Sequence, residues 1–195
     1  MQTNQFDLAT REVILKKFKS DFVLKESHLT FKETLNKRRF ALDKRRHNSK
    51  NIIMWESYGL IEDNRINNIG RKKYSFTESL WADLIKQLKR FGLHSKTIIP
   101  IKEMLCETED KSGISTFPLL DFYISFILRN EQVFLLTDDN ANSFLITKEH
   151  LDAAENQPNY KHEHMVKINL NNIVNRLLEE LPMELSNNLH LSLNN

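Results

Sequence analysis

The sequence predicts an α+β chain: a winged helix-turn-helix followed by a small antiparallel β-meander with a C-terminal helix. Three observations carry this prediction. Gly59, Gly70 and Gly92, three of only four glycines, fall between Ser49 and Leu105. Each follows or interrupts a hydrophobic period, where a residue of positive φ lets a helix stop or a hairpin turn. Charge is split along the chain: 11 Lys/Arg stand against 4 Asp/Glu from Lys37 to Lys73, whereas 6 face 14 from Cys106 onward. Beyond Phe117 the runs FYISFIL, QVFLLT and SFLIT are β-branched and aromatic and are separated by RNE and DDNAN, the pattern of antiparallel strands and turns.

At 195 residues, 40% hydrophobic and 28% charged, the chain can bury a real core in one or two domains. The segments read as an N-terminal helical piece (1–29), a winged-helix unit (30–110), an α+β unit (117–182) and a flexible tail (183–195), with a linker at Lys111–Thr116. No apolar run approaches a membrane span, and the first residues lack signal-peptide character. The single cysteine, Cys106, excludes an internal disulfide framework and a cysteine-rich zinc site; it reads as a half-buried, inert thiol in a reducing cytoplasm. A basic third joined to an acidic half fits a polyanion-binding surface coupled to a unit with another job.

Taken in order, Asp7 can cap a helix to about Leu24 with Ile14, Phe18 and Phe22 on one face. The next helix, Thr30 to Arg46, carries Lys37-Arg38-Arg39 and Lys44-Arg45-Arg46. Seven residues apart, these clusters fall near one face and form either a row along a phosphate backbone or a solvated basic face. Asn48 or Ser49 caps a helix whose Ile52, Ile53, Trp55 and Tyr58 supply core and an aromatic edge. Its first turn presents Asn48, Ser49, Lys50 and Asn51, residue types that read base edges or hold phosphate. A hairpin follows with Arg65, Arg71, Lys72 and Lys73 as the cations of a wing, and Tyr74 at its base with a hydroxyl free for a phosphate or a backbone partner. Thr77 caps a helix with Leu80, Trp81, Leu84, Ile85 and Leu88 facing the core.

In the C-terminal half, the turn Asp138-Asp139-Asn140 lacks the further carboxylates of a calcium loop, and His162-x-His164 has no third ligand placed by spacing. No metal or cofactor is expected. The stripe Leu170, Ile173, Val174, Leu177, Leu178 and Leu181, after an Asn cap, either covers the sheet or pairs with a second copy. No nucleophile elbow, phosphate loop, dinucleotide loop or paired-carboxylate motif is present, and the expectation is of a protein that is not an enzyme.

The run Trp55-Glu56-Ser57-Tyr58-Gly59-Leu60-Ile61, then Arg65, Gly70 and Lys73-Tyr74-Ser75, then Leu84-Ile85-x-x-Leu88-x-x-Phe91-Gly92-Leu93, resembles the MerR-type DNA-binding domain over about residues 40–105. Departures are Met54-Trp55 where the family has two tyrosines, Arg65 one residue further from the wing glycine, and the absence of a long dimer coiled coil after Leu105. The resemblance implies a bacterial, cytoplasmic, nucleoid-associated regulator. It would bind double-stranded DNA in a sequence-specific way, distort or occupy promoter DNA, and form a homodimer through its C-terminal region. Two alternatives stay open: an excisionase-like or segregation-type architectural DNA-binding protein, and a protein-interaction module whose basic face is incidental.

Overall fold

The computed structural model describes residues 27–42, 46–65, 67, 69–107, 113–138, 142–156 and 165–191. Among these, eight helices and one three-stranded antiparallel sheet form an α+β fold. The expected helix Asp7–Leu24, together with Lys44, Arg45, Asp139, Asn140, His162 and His164, lies outside the described residues.

Helix α1 (Ser27–Asn36) buries Phe31 and Leu35, and α2 (Ser49–Ser57) buries Trp55. The axis of the fold is α3 (Phe76–Arg90), whose Leu80, Trp81, Leu84, Ile85 and Leu88 are all buried, as their spacing predicts. Its N-cap is Ser75 rather than Thr77. Ser75 Oγ accepts from Glu78 N at 3.0 Å, and Ser75 N donates to Glu78 Oε2 at 2.7 Å, a reciprocal capping box. Thr77 is then free to donate to Asp121 Oδ1 at 2.6 Å.

Gly59 and Gly92 end α2 and α3 as expected, with φ of 68° and 91°. After α2, Leu60 N donates to Trp55 O and Gly59 N to Glu56 O; after α3, Leu93 N donates to Leu88 O and Gly92 N to Lys89 O. Both are Schellman endings, which put the glycine in the left-handed region and fold the following leucine back toward the helix.

Helix α4 (Ser95–Cys106) packs Ile98, Ile101 and Leu105 inward. Cys106 is exposed rather than half-buried, yet desolvation of the thiol still pushes its pKa up and keeps it in the weakly reactive protonated form. The run FYISFIL, expected as a strand, lies in helix α5 (Pro118–Leu128), every residue of which is buried. A helix surrounded by core has no polar face and hence no 3.6-residue pattern to separate it from a buried strand.

Strands β1 (Val133–Thr137) and β2 (Ser143–Thr147) are QVFLLT and SFLIT as expected. The third strand is β3 (Val166–Asn169), and the order β2-β1-β3 puts β1 in the centre, so the sheet is antiparallel but not a meander. Helix α6 (Lys148–Glu155) makes the crossover between the two edge strands. Alternation along β1 splits two cores: Val133 and Leu135 join the main cluster, while Phe134 and Leu136 meet Ile146 and Leu151 of α6.

Helix α7 (Leu170–Glu179), capped by Asn169, turns Ile173, Val174 and Leu177 into the main core, so the apolar stripe is consumed within the chain. Residues expected in the flexible tail form helix α8 (Met183–Leu191), anchored by buried Leu189. One hydrophobic cluster runs from Phe31 to Leu189 and joins the two units that the sequence separates.

At the junction sits Asp121, wholly buried in the first turn of α5. Asn36 Nδ2 donates to it at 2.6 Å, Thr77 Oγ1 at 2.6 Å, and Ser115 Oγ also donates. Burial outweighs these bonds and the nearby Lys32 charge, pushing the carboxyl up to about 6. A folded pKa above the unfolded one means stability present at low pH and lost as pH rises through about 6. Asp121→Asn removes this titration. The stability of the wild type relative to the variant should therefore rise by roughly 2–3 kcal/mol as pH falls from 6 to 4, read by urea melts at each pH.

Candidate nucleic-acid interface

Asn48 is the N-cap of α2: its Oδ1 accepts from Lys50 N at 3.0 Å. That bond commits Asn48 to the helix end, whereas Ser49, Lys50 and Asn51 are exposed on the first turn. Ile53 and Tyr58, expected to share in the core and its edge, are 62% and 42% exposed; buried Trp55 anchors α2, with Met54 packed partly buried against the core.

The basic row expected on one helix face is broken. Helix α1 ends at Asn36, and the following residues run alongside Tyr74. Arg39 N and Phe40 N both donate to Tyr74 O, at 3.1 and 3.0 Å, and Tyr74 N returns a bond to Phe40 O at 2.7 Å. This single bridge stands where a two-stranded wing is expected; the described residues from Glu62 to Lys73 include no strand. Tyr74 itself is buried and its hydroxyl has no hydrogen-bond partner among the described residues, so it is not offered to a phosphate at the surface. Burial first, then the Glu56, Asp63 and Glu78 charges, push its pKa up to about 12.

Several of the predicted cations are held by carboxylates of the same chain. Arg38 lies bidentate on Glu78, with Nε 3.1 Å from both oxygens and Nη2 2.8 Å from Oε1. Arg46 contacts Glu180 and stands 3.5 Å from Asp83. Arg65 forks onto Asp63, and Lys72 reaches both Glu56 and Asp63. Lys37, Lys50, Arg71 and Lys73 are exposed.

Sequence reasoning missed the node beneath this surface. Asp83, buried on α3, is 3.0 Å from His47 Nε2 and 2.8 Å from Arg176 Nη2 of α7. Burial alone would raise its pKa, but His47, Arg176 and Arg46 more than offset it and leave it below the ordinary carboxylate value. His47 in turn meets the Trp55 ring edge-on at 5.9 Å. The Asp83 node thus fixes the entry to α2. The only signal in the sequence was an acid interrupting the apolar face of a core helix.

Loss of a cap and loss of the node are separable by denaturation. Asn48→Ala should cost about 1 kcal/mol and Asn51→Ala almost nothing. Asp83→Ala should cost about 2 kcal/mol or more, because it takes the carboxylate away from the Arg176 guanidinium and a buried histidine, although Arg46 keeps Glu180 and the partial exposure of Arg176 moderates the loss.

Among the described residues, no helix is long and apolar enough to cross a membrane. No family model, no curated protein and no solved structure matches this chain.

Proposed function

We propose that the chain binds double-stranded DNA, with the first turn of α2 toward the major groove and the segment Arg71–Lys73 against flanking phosphates. The observation that supports this reading is one of adjacency. The Phe40–Tyr74 bridge joins the segment after α1 to the 71–73 segment, and Lys72 lies against Glu56 of α2, so the three segments are next to one another. Each contributes an exposed cation: Lys37, Lys50, and Arg71 with Lys73. Exposed cations on adjoining segments are the arrangement that gains from counterion release, and Ser49 and Asn51 supply polar groups for base edges. In this reading the protein is a MerR-like transcription regulator acting as a homodimer, and the acidic half serves dimerisation, sensing or recruitment. An architectural role would instead appear as bending without a promoter target.

A second reading is favoured by one observation. Ile53, Tyr58 and Ile69 are 62%, 42% and 77% exposed on α2 and the loop after it, an apolar content suited to a protein partner.

Fluorescence anisotropy with a labelled mixed-sequence duplex, titrated across salt, separates the two readings. Wild type should show a steep salt dependence. Combined Lys50→Ala, Arg71→Ala and Lys73→Ala should flatten the logarithmic slope by about 0.9 for each phosphate that is no longer neutralised, and weaken binding at least tenfold at low salt. Absence of binding at low salt, with a partner captured in a salt-insensitive way, would replace the DNA reading with the second.

A further inference from the structure

The loop after α2 carries two cations that are already engaged. Arg65 donates through Nε to both oxygens of Asp63, at 2.9 and 3.2 Å, and through Nη2 to Oδ2 at 2.6 Å. Its Nη1 donates to Gly70 O at 3.1 Å. Lys72 Nζ contacts Glu56 of α2 and stands 3.2 Å from Asp63 Oδ2. A carboxylate held in a guanidinium fork occupies the geometry that a phosphate would take, and the two anions compete for the same donors. These four side chains keep between 18% and 25% of their surface exposed, so a phosphate can reach the cations, but only by displacing the acids. The Arg65 hydrogen bonds hold the Asp63 carboxyl far below its usual range, so the pairing persists across the pH range in which proteins are handled.

We propose that Glu56 and Asp63 are built-in competitors of DNA phosphate: by holding Arg65 and Lys72 internally, they set the affinity of the interface below what its cations could deliver. The inference rests on the DNA-binding reading and concerns the regulation of that surface. The loop is a ground state in which two cations are screened. Release of the acids, by substitution or by a bound partner that engages them, converts it to a tighter state.

The test compares wild type, Asp63→Asn, Glu56→Gln and the double variant on the same mixed-sequence duplex. Glu62→Gln serves as a control for the removal of one negative charge nearby. Glu62 pairs with Lys102, whereas the ion pairs of Arg65 and Lys72 among the described residues are to Asp63 and Glu56. Folding of each variant is checked by thermal melting followed by circular dichroism. The double variant should bind about tenfold tighter than Glu62→Gln, with a salt slope steeper by roughly 0.9 for each cation released. Lys72→Ala should weaken binding several-fold more in the double-variant background than in wild type, a non-additivity that generalised charge cannot produce. If wild type binds DNA and the double variant is no tighter than Glu62→Gln, the competitor role is overturned and the DNA reading stands. If no form binds DNA at low salt, both fall together.

Discussion

The carboxylate of Asp121, with no access to solvent, is the constraint on which the arrangement of this fold depends. Helix α5 is otherwise buried on every side, and an apolar cylinder inside an apolar core has no preferred rotation about its own axis. Asp121 removes that freedom, together with the Tyr123 hydroxyl, which donates to Leu145 O at 2.7 Å. The Asp121 oxygens accept from Asn36 at the end of α1, from Thr77 in the first turn of α3 and from Ser115 before α5, so three segments from both halves of the chain meet at one group. Burying a charge is costly unless its lone pairs are satisfied, and here the cost is offset only when all three segments are in place. That requirement selects one packing of α5 among many of similar apolar contact.

Helix α3 repeats the device at its surface. Glu78, already part of the capping box, takes Arg38 in bidentate fashion, and Asp83 gathers His47, Arg46 and Arg176. The two acids lie on one helix and draw the two ends of the basic segment 38–47 against it, with α7 closing over the second. Much of the positive charge that marks this region therefore serves folding. Among the described residues, what this region leaves for a partner is narrower: the exposed cations Lys37, Lys50, Arg71 and Lys73, set on segments that the core holds together.

Some of this was legible residue by residue. Helix ends are local events, and Gly59 and Gly92 announce theirs because a left-handed residue after an apolar run has few other uses. The apolar spacing of α3 and α7, the Asn caps of α2 and α7, and the strands β1 and β2 follow from the same local rules. The candidate interface is legible as composition and position, but not as availability: Tyr74, whose hydroxyl the sequence leaves open to a phosphate or a backbone partner, is buried, and Arg65 and Lys72, expected as cations of a wing, are paired with carboxylates. For α5, Pro118 at the start and Asp121 in the first turn were the helix signals to weigh against the β-like composition of FYISFIL.

By itself, then, the sequence determined the α+β class, the glycine helix stops, the Asn caps of α2 and α7 and the separation of basic from acidic halves, since each is decided within a few neighbouring residues. Only the tertiary structure decided which cations are held in internal ion pairs, that β1 takes β3 and not FYISFIL as its second neighbour, and that 118–128 is a helix. Arg38 and Glu78 are 40 positions apart and Arg46 and Glu180 are 134 apart, so their pairing follows from how helices pack and not from any spacing along the chain. The same holds for α5, because a segment enclosed by core carries no periodic record of its own conformation.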